Sequence, residues 1–282
     1  GYEPARPLNA EVGTATIEEG FRLVPFSFDG LPGERVPALL ALPPEGDGPY
    51  PCLVFLHGIG QSKSFLEKIA APFTGAGFAM VTFDQYTRGE RKLTTENFLR
   101  KVNGLRRRAS LNVIETRRLI DYLETRADIA ADRIYLLGAS FGAITGVPVV
   151  AFEPRIQAAV LTYGGGDLDV LLNSEAAAQT LGWFSTPVAY LGAFYMAPAD
   201  PVRYVGLISP RPILFQNGKA DSLIPPASAR LLQDAARDPK EIIWYEGDHV
   251  GTDEATVRQV LDDALEWIRK QDAARAGGLG AR

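Results

Sequence analysis

The chain has 282 residues, 46% of them hydrophobic and 22% charged, which is ordinary for a globular protein with a large core. Its formal net charge of −5 at pH 7 provides no broad basic field, so we expect no nucleic acid among its partners. One cysteine excludes an intramolecular disulfide. Two histidines are too few for a zinc site of the usual His/Cys type, so we expect no metal and no other cofactor.

Apolar patterns alternate between strands and helices along the chain. The two stretches at residues 21–30 and 34–43 predict an antiparallel strand pair joined by a Gly/Pro turn. Further strands are predicted at 51–58, 78–84, 133–138, 156–164, 211–218 and 241–247. Helices are predicted at 64–77, 111–126, 140–152, 226–237 and 256–271, and Ser110 is expected to cap the second of these.

This alternation predicts one α/β domain over residues 1–282, with a doubly wound, mostly parallel sheet and helices on both faces. The uncharged residues 134–152 are long enough to suggest a membrane span. Three glycines and a proline inside them instead favour a buried strand, a tight turn and a buried helix. We therefore expect no integral membrane segment.

Two segments interrupt the alternation. Residues 88–109 are polar and basic, and we interpret the run from Arg100 to Arg108 as a solvated face or an ion-pair network. Residues 167–207 are rich in aromatic residues and too long for an ordinary connection, so they predict a helical cap insertion. The final residues 272–282 are expected to be disordered.

The stretch Gly138-Ala139-Ser140-Phe141-Gly142 is a G-x-S-x-G pattern between a predicted strand and a predicted helix. A sharp turn at this junction needs flanking residues without bulk and exposes the serine hydroxyl at the sheet edge. The following helix directs its N–H groups to the same place. The pattern therefore predicts that Ser140 is a nucleophile.

A serine hydroxyl needs a base to take its proton, and the base needs a group that orients it. His249 follows the last predicted strand and Asp221 follows the preceding one, so both reach the carboxyl edge of the sheet. The order Ser, Asp, His along the chain fits an α/β hydrolase. Rival carboxylates are Asp167, Asp169 and Asp248.

An oxyanion that forms at Ser140 needs preorganised hydrogen-bond donors. One is the amide of Phe141, directly after the nucleophile. The second is expected in the LHGIG loop, from Ile59 or alternatively from Gly58. His57 precedes this glycine turn, so we expect it to brace the loop by a side-chain hydrogen bond rather than to act as the base.

The elements HGIG, GASFG, GKAD and GDH, in this order on successive strand ends, resemble the α/β-hydrolase superfamily over about residues 20–270. FLHGIGQSK, TFDQYTRGER and ISPRPILFQNGKADSLIP are most similar to serine esterases near the dienelactone hydrolase and acetyl-esterase branches, and to prolyl-oligopeptidase-type catalytic domains. The resemblance implies an α/β-hydrolase fold with a Ser140–His249–Asp221 triad and Ile59 and Phe141 as amide donors. Ser140 stands where a dienelactone hydrolase often has cysteine.

The resemblance implies a hydrolase that cleaves small-molecule carboxylic esters with small to medium acyl chains through an acyl-enzyme. A peptidase or acyl-aminoacyl hydrolase with the same triad stays open, as does a non-catalytic module on this fold. Aromatic residues of the cap are expected to form an apolar substrate wall. They are Trp183, Phe184, Tyr190, Phe194 and Tyr195.

The same cap residues could instead serve a homo-oligomer interface, so the sequence leaves the oligomeric state open. The single cysteine favours the cytoplasm. A secreted or periplasmic location also stays open, because the chain begins with Gly1 rather than Met.

Overall fold

The computed structural model describes residues 1–92, 94, 97–172, 194–249 and 253–279. Within these residues ten strands form one sheet. The strands are β1 (Glu11–Val12), β2 (Thr16–Glu18), β3 (Phe21–Asp29), β4 (Arg35–Leu42), β5 (Tyr50–Leu56), β6 (Ala79–Phe83), β7 (Ile129–Ala139), β8 (Ile156–Thr162), β9 (Ile213–Gly218) and β10 (Lys240–Tyr245).

The strand order is β1-β3-β4-β6-β5-β7-β8-β9-β10, and β2 pairs with β3. Strands β3 and β4 pair antiparallel, as do β4 and β6, whereas β6, β5, β7, β8, β9 and β10 are parallel to their neighbours. This confirms the doubly wound, mostly parallel sheet and its antiparallel start. Because β5, β7, β8, β9 and β10 are parallel, their carboxyl ends meet at one edge of the sheet.

The helices cover both faces of the sheet. They are α1 (Leu66–Gly75), α2 (Phe98–Glu124), α3 (Phe141–Phe152), α4 (Leu168–Leu172), α5 (Val202–Val205), α6 (Pro226–Ala235) and α7 (Glu254–Leu279). Strand β5 shows how the faces divide. Its Val54 packs in a core with α2 and α3, and the next residue, Phe55, packs in a second core with α1 and α7.

Helix α2 begins before its predicted start. Asn97 is its N-cap, and the Asn97 side chain accepts a hydrogen bond from the Arg100 amide at 3.0 Å. Ser110 lies inside the helix, and its hydroxyl donates to the Arg107 carbonyl at 3.0 Å. The prediction that Ser110 caps the helix was therefore wrong. The helix extends through the basic run because that run supplies buried residues of its own, among them Arg108 and Ala109.

The expectation of a disordered tail was wrong for residues 272–279, which belong to α7. Polar anchors attach this part of the helix to β7. The Asp272 carboxylate accepts from the Arg133 guanidinium and from the Tyr135 hydroxyl, the latter at 2.8 Å, and the Arg275 Nε donates to the Asp132 carbonyl at 2.8 Å. Residues 280–282 lie outside the described residues.

The predicted strand, turn and helix at 134–152 are confirmed as the end of β7, the turn at Ser140, and α3. No helix in the described ranges is both long and apolar enough to cross a lipid bilayer. Of the predicted cap at 167–207, the structure describes α4, a 3₁₀ turn at Ala197–Ala199, and α5. Trp183, Phe184 and Tyr190 lie outside the described residues.

Candidate active site

Ser140 occupies a strained turn between β7 and α3. Its backbone has φ of +54° and ψ of −118°, a conformation that L-residues rarely adopt. The Ser140 amide donates to the Thr162 carbonyl at the end of β8, and its own carbonyl accepts from the Ala143 amide, at 2.8 and 2.9 Å. The turn is therefore fixed on both sides of the hydroxyl-bearing residue.

The two glycines of GASFG are required by close backbone contacts. A Cβ atom at Gly142 would lie 1.8 Å from the Leu56 carbonyl oxygen, and one at Gly138 would lie 2.6 Å from the Gly142 oxygen. Both distances are far below contact distance, so any side chain would displace β5 or α3. The small residues of this stretch are thus a packing requirement of the turn, as the pattern predicted.

His249 and Asp221 lie next to Ser140 at the carboxyl edge of the sheet. The Ser140 Oγ is 3.0 Å from His249 Nε2, and His249 Nδ1 is 2.8 Å from Asp221 Oδ2. The other carboxylate oxygen of Asp221 accepts the amides of Leu223 and Ile224 at 2.9 and 2.8 Å. These two amides hold the carboxylate in place, so that one oxygen is left for the imidazole.

Among the described residues, the carboxylate that bonds the imidazole ring of His249 is Asp221, and the rivals Asp248 and Asp167 have other partners. Asp248 accepts hydrogen bonds from the backbone amides of His249 and Ser222, both at 2.7 Å. These bonds, with the Ser222 hydroxyl, lower the pKa of Asp248. Asp167 accepts from the Val170 amide at the start of α4. Asp248 therefore shapes the histidine loop, and Asp221 is the carboxylate at the ring.

An aromatic residue that the sequence patterns did not indicate packs against the imidazole. The Tyr163 ring lies 5.4 Å from the His249 ring at an interplanar angle of 80°. Tyr163 is fully buried and follows β8 directly, with a positive φ of 52°. Burial and the nearby Asp221 charge raise the pKa of its phenol to about 12, so the ring stays neutral beside the histidine.

The LHGIG loop distinguishes the two expected oxyanion donors. The Gly58 amide donates to the Gln61 side-chain oxygen at 2.9 Å, so this amide is already used. Among the described residues, the amides of Ile59 and Phe141 have no acceptor. Gly58, Ile59 and Ser140 line the same cavity, so the preference for Ile59 over Gly58 rests on the occupied Gly58 amide.

His57 is fully buried behind this loop. Its Nδ1 lies 3.0 Å from the Gly58 carbonyl oxygen, which it can approach only as a donor. Burial lowers the pKa of His57 to about 4, so the ring is neutral at pH 7. These contacts agree with a role in bracing the loop.

The buried His57 predicts an acid-sensitive fold. The folded pKa of His57, about 4, lies below the value of 6.5 that is usual for an exposed histidine. Between these values the unfolded chain binds a proton that the folded chain does not, so stability falls as pH is lowered from about 6.5 to 4. The shift corresponds to about 3 kcal/mol of the free energy of unfolding. Urea unfolding at pH 7, 5.5 and 4.5 measures this loss.

His57→Asn serves as the reference, since it retains a hydrogen-bonding group but does not titrate. We expect this variant to lose less stability than the parent between pH 7 and 4.5, because it lacks the buried imidazole whose pKa differs between the folded and unfolded chain. Equal losses in the two proteins would contradict the assignment to His57.

A cavity of about 480 Å³ opens beside Ser140. It extends along the sheet face between α1 and α7 rather than under the described part of the cap. Its apolar lining residues include Phe55, Phe65, Ile69, Leu137, Leu261 and Ala264. The sequence patterns predicted a substrate wall in the cap and did not predict this cavity. Helix periodicity shows that α1 and α7 each have an apolar face, but it does not show that a gap lies between the two helices.

Phe194 and Tyr195, the two expected wall residues that the structure describes, are not among those that line this cavity. Phe194 is 82% exposed. The Tyr195 hydroxyl donates to the Asn103 side chain at 2.9 Å, and its ring lies under the Arg106 guanidinium at 4.2 Å. Tyr195 thus connects the cap segment to α2.

The stretch after β6 has a supporting role. The buried Asp84 carboxylate accepts the Lys63 ammonium at 3.0 Å and the Glu90 amide at 2.9 Å. A Cβ at Gly89 would lie 2.0 Å from this carboxylate, and Gly89 has a positive φ of 52°. The segment thus ties the loop after β6 to the start of α1.

Comparisons with known proteins agree with this architecture. Residues 36–252 match the model of the dienelactone hydrolase family. The chain is 26% identical over 250 residues to esterase YjfP of Escherichia coli (strain K12), covering 83% of this chain and 95% of the relative.

Two solved structures show the same fold. An acetyl xylan esterase from Paenibacillus sp. R4 superposes with a TM-score of 0.72 at 17% identity, covering 93% of this chain and 89% of the other. A cold-adapted esterase from an Arctic intertidal metagenomic library gives a TM-score of 0.69 at 17% identity, over 92% and 97% of the two chains. With the family match over most of its length, this chain belongs to the dienelactone hydrolase family of α/β hydrolases.

Proposed function

We propose that the protein is a serine hydrolase that cleaves carboxylic esters of small to medium acyl chain through a covalent acyl-enzyme. The observation that carries the proposal is the continuous hydrogen-bond chain from Ser140 Oγ through the His249 ring to Asp221, at 3.0 and 2.8 Å. Membership in the dienelactone hydrolase family supports hydrolysis of an ester as the reaction class. The name of the Escherichia coli relative supports the same class.

In the proposed reaction, Ser140 Oγ attacks the ester carbonyl carbon while His249 Nε2 takes the hydroxyl proton. Asp221 accepts the Nδ1–H bond and stabilises the imidazolium. The carbonyl oxygen becomes an oxyanion held by the amides of Ile59 and Phe141. When the tetrahedral intermediate collapses, His249 gives its proton to the leaving alcohol, and water then releases the acid by the same steps in reverse.

The cavity supports the proposed acyl range. Its volume of about 480 Å³ lies at the lower end of the range typical of small-ligand sites. No aspartate, glutamate, lysine or arginine is among its described lining residues. The described part of the lining suits a short to medium apolar chain and contains no ionic anchor for the side chain of a peptide substrate.

Active-site labelling tests the proposal directly. A fluorophosphonate should add once per chain, and peptide mass spectrometry should locate the adduct on Ser140. p-Nitrophenyl butyrate should give a burst of p-nitrophenol equal to the labelled fraction if deacylation limits turnover. A p-nitroanilide of the same acyl group should turn over more slowly. Absence of labelling at Ser140 would overturn the nucleophile, and amide turnover equal to ester turnover would favour a peptidase.

A series of p-nitrophenyl esters with acyl chains of two to twelve carbons tests the acyl range. We expect kcat/KM to rise from acetate and to fall for the longest chains, because the cavity has an apolar lining but a volume of only about 480 Å³. Ala264→Phe should move the preference toward shorter chains without loss of acetate hydrolysis. A preference unchanged in Ala264→Phe would show that the chain binds elsewhere.

A further inference from the structure

Arg108 is the last residue of the basic run on α2, and it is fully buried. The interpretation of the run as a solvated face or an ion-pair network holds for Arg107, which is exposed and pairs with Glu34 at 2.8 Å. It was wrong for Arg108. No carboxylate of the described residues lies within ion-pair distance of its guanidinium, although a buried cation is costly without a partner. The partners of Arg108 are therefore neutral groups, and their identity indicates its role.

The guanidinium binds the loop that carries one expected oxyanion donor. Its Nη2 donates to the Gly58 carbonyl at 3.2 Å, and its Nη1 donates to the Ile59 carbonyl at 3.1 Å. The Nε donates at 2.8 Å to Gln85, whose own amide group donates to the His57 carbonyl at 3.0 Å. Three successive carbonyl groups of the loop are thereby held by one buried network.

The same guanidinium lies over the ring of Phe141, 4.5 Å from its centroid. Phe141 follows the nucleophile and carries the other expected oxyanion donor. Arg108 is thus in contact with both Ile59 and Phe141, the residues that carry the expected oxyanion donors, and it is not among the described residues that line the catalytic cavity.

The contact with Gly58 acts on a single peptide unit. The Gly58 carbonyl and the Ile59 N–H belong to the same planar trans peptide, so the two groups point in opposite directions. A cation on the carbonyl side fixes the plane and withdraws electron density from the N–H, which strengthens its donation on the other side. His57 Nδ1 donates to the same carbonyl at 3.0 Å and adds to both effects.

We propose that Arg108 is a positioning residue of the oxyanion site, which orients and polarises the Gly58–Ile59 peptide and holds the Phe141 side chain. The inference rests on the proposed serine hydrolase function and adds a residue to it. Burial and the charge of Arg88 lower the pKa of Arg108 to about 9, so the guanidinium remains a cation at neutral pH.

The test compares Arg108→Met with Arg107→Met, which removes a neighbouring guanidinium that does not contact the loop. Titration with a fluorophosphonate gives the number of active serines, so activity per titrated site is independent of any misfolded fraction. For Arg108→Met we expect kcat per site to fall about 10- to 100-fold with KM changed less than threefold, because the affected interaction forms mainly in the transition state. Arg107→Met should keep the parent value.

A trifluoromethyl ketone with a butyryl-like chain provides a readout that a general packing role would not change. It forms a tetrahedral oxyanion on serine, so its inhibition constant should rise by the same factor as kcat falls. Arg108→Lys retains the charge and should recover part of the loss. In Arg108→Ala, added guanidinium ion at millimolar concentration should restore part of kcat, whereas sodium ion at equal ionic strength should not.

An unchanged kcat per titrated site in Arg108→Met and Arg108→Lys would overturn the inference, as would an unchanged inhibition constant for the ketone. Failure of the serine hydrolase proposal gives a different result, because the parent protein itself would not then be labelled at Ser140. If Arg108→Met does not fold, Arg108→Lys alone decides, since parent values for both kcat and ketone inhibition would contradict the proposed role.

Discussion

Ser140→Ala is expected to lower kcat/KM for p-nitrophenyl butyrate by about 10⁴- to 10⁶-fold. The activity that remains should come from the two amide donors and from substrate binding alone. The substitution removes the one atom of the described residues that bonds His249 Nε2, and it leaves the backbone hydrogen bonds of the turn intact. Initial rates at substrate concentrations below KM, corrected for buffer hydrolysis, measure the loss. The thermal unfolding midpoint should remain within a few degrees of the parent.

Ser222→Ala is the matched control. In the parent protein the Ser222 hydroxyl donates to Asp248 at 2.9 Å, and Asp248 directly precedes His249. Among the described residues, this hydroxyl has no bond to Ser140, His249 or Asp221. We expect this variant to retain activity within about fivefold and to react with a fluorophosphonate, whereas Ser140→Ala should not react. Equal activity losses in the two variants would show that Ser140 is not the nucleophile.

Asp221→Asn is expected to cost about 10⁴-fold in kcat at neutral pH, a magnitude known for the corresponding change in another serine hydrolase. One oxygen of Asp221 accepts the amides of Leu223 and Ile224, so the Asn oxygen should stay there. Its NH₂ group would then face His249 Nδ1 and make that nitrogen an acceptor. The proton would move to Nε2, which could no longer accept the proton of Ser140.

The control for this variant is Asp248→Asn, which changes the neighbouring carboxylate in the same way. Asp248 contacts the backbone of the histidine loop but not the ring. We expect a loss of no more than about tenfold in kcat, with the pH profile retained. If Asp248→Asn lost as much activity as Asp221→Asn, this result would contradict the assignment of the orienting role to Asp221. The measurement is kcat between pH 6 and 9 for both variants.

The sequence predicts those parts of the site that depend on strand ends. Ser140, Asp221 and His249 each follow a strand with a clear apolar pattern, and parallel strands bring their carboxyl ends together. The residues that meet around Ser140 could therefore be selected from two histidines and a few carboxylates before any contact was known. The choice between Ile59 and Gly58 needed the structure, because it depends on the Gln61 side chain bonding one of the two amides.

Other features lie beyond what periodicity can show. A run of arginines gives no indication that Arg108 turns inward while Arg107 stays at the surface, because this depends on the neutral carbonyls that Arg108 meets across the fold. The start of α2 was missed because residues 98–109 include five basic residues and Gly104, which obscure the helical pattern. The cavity was missed because two helices show the same apolar periodicity in the sequence whether their facing sides are in contact or are separated by a gap.

The position of the cavity has a consequence for how the family can diversify. Four of its lining residues, Val257, Val260, Leu261 and Ala264, belong to α7, a helix outside the strand ends that carry the triad. Side-chain volume on this one helix can therefore change without altering the turn at Ser140 or the loop at Ile59. Under the proposed function, substitutions on this one helix could change the acyl preference while the residues around Ser140 stay the same.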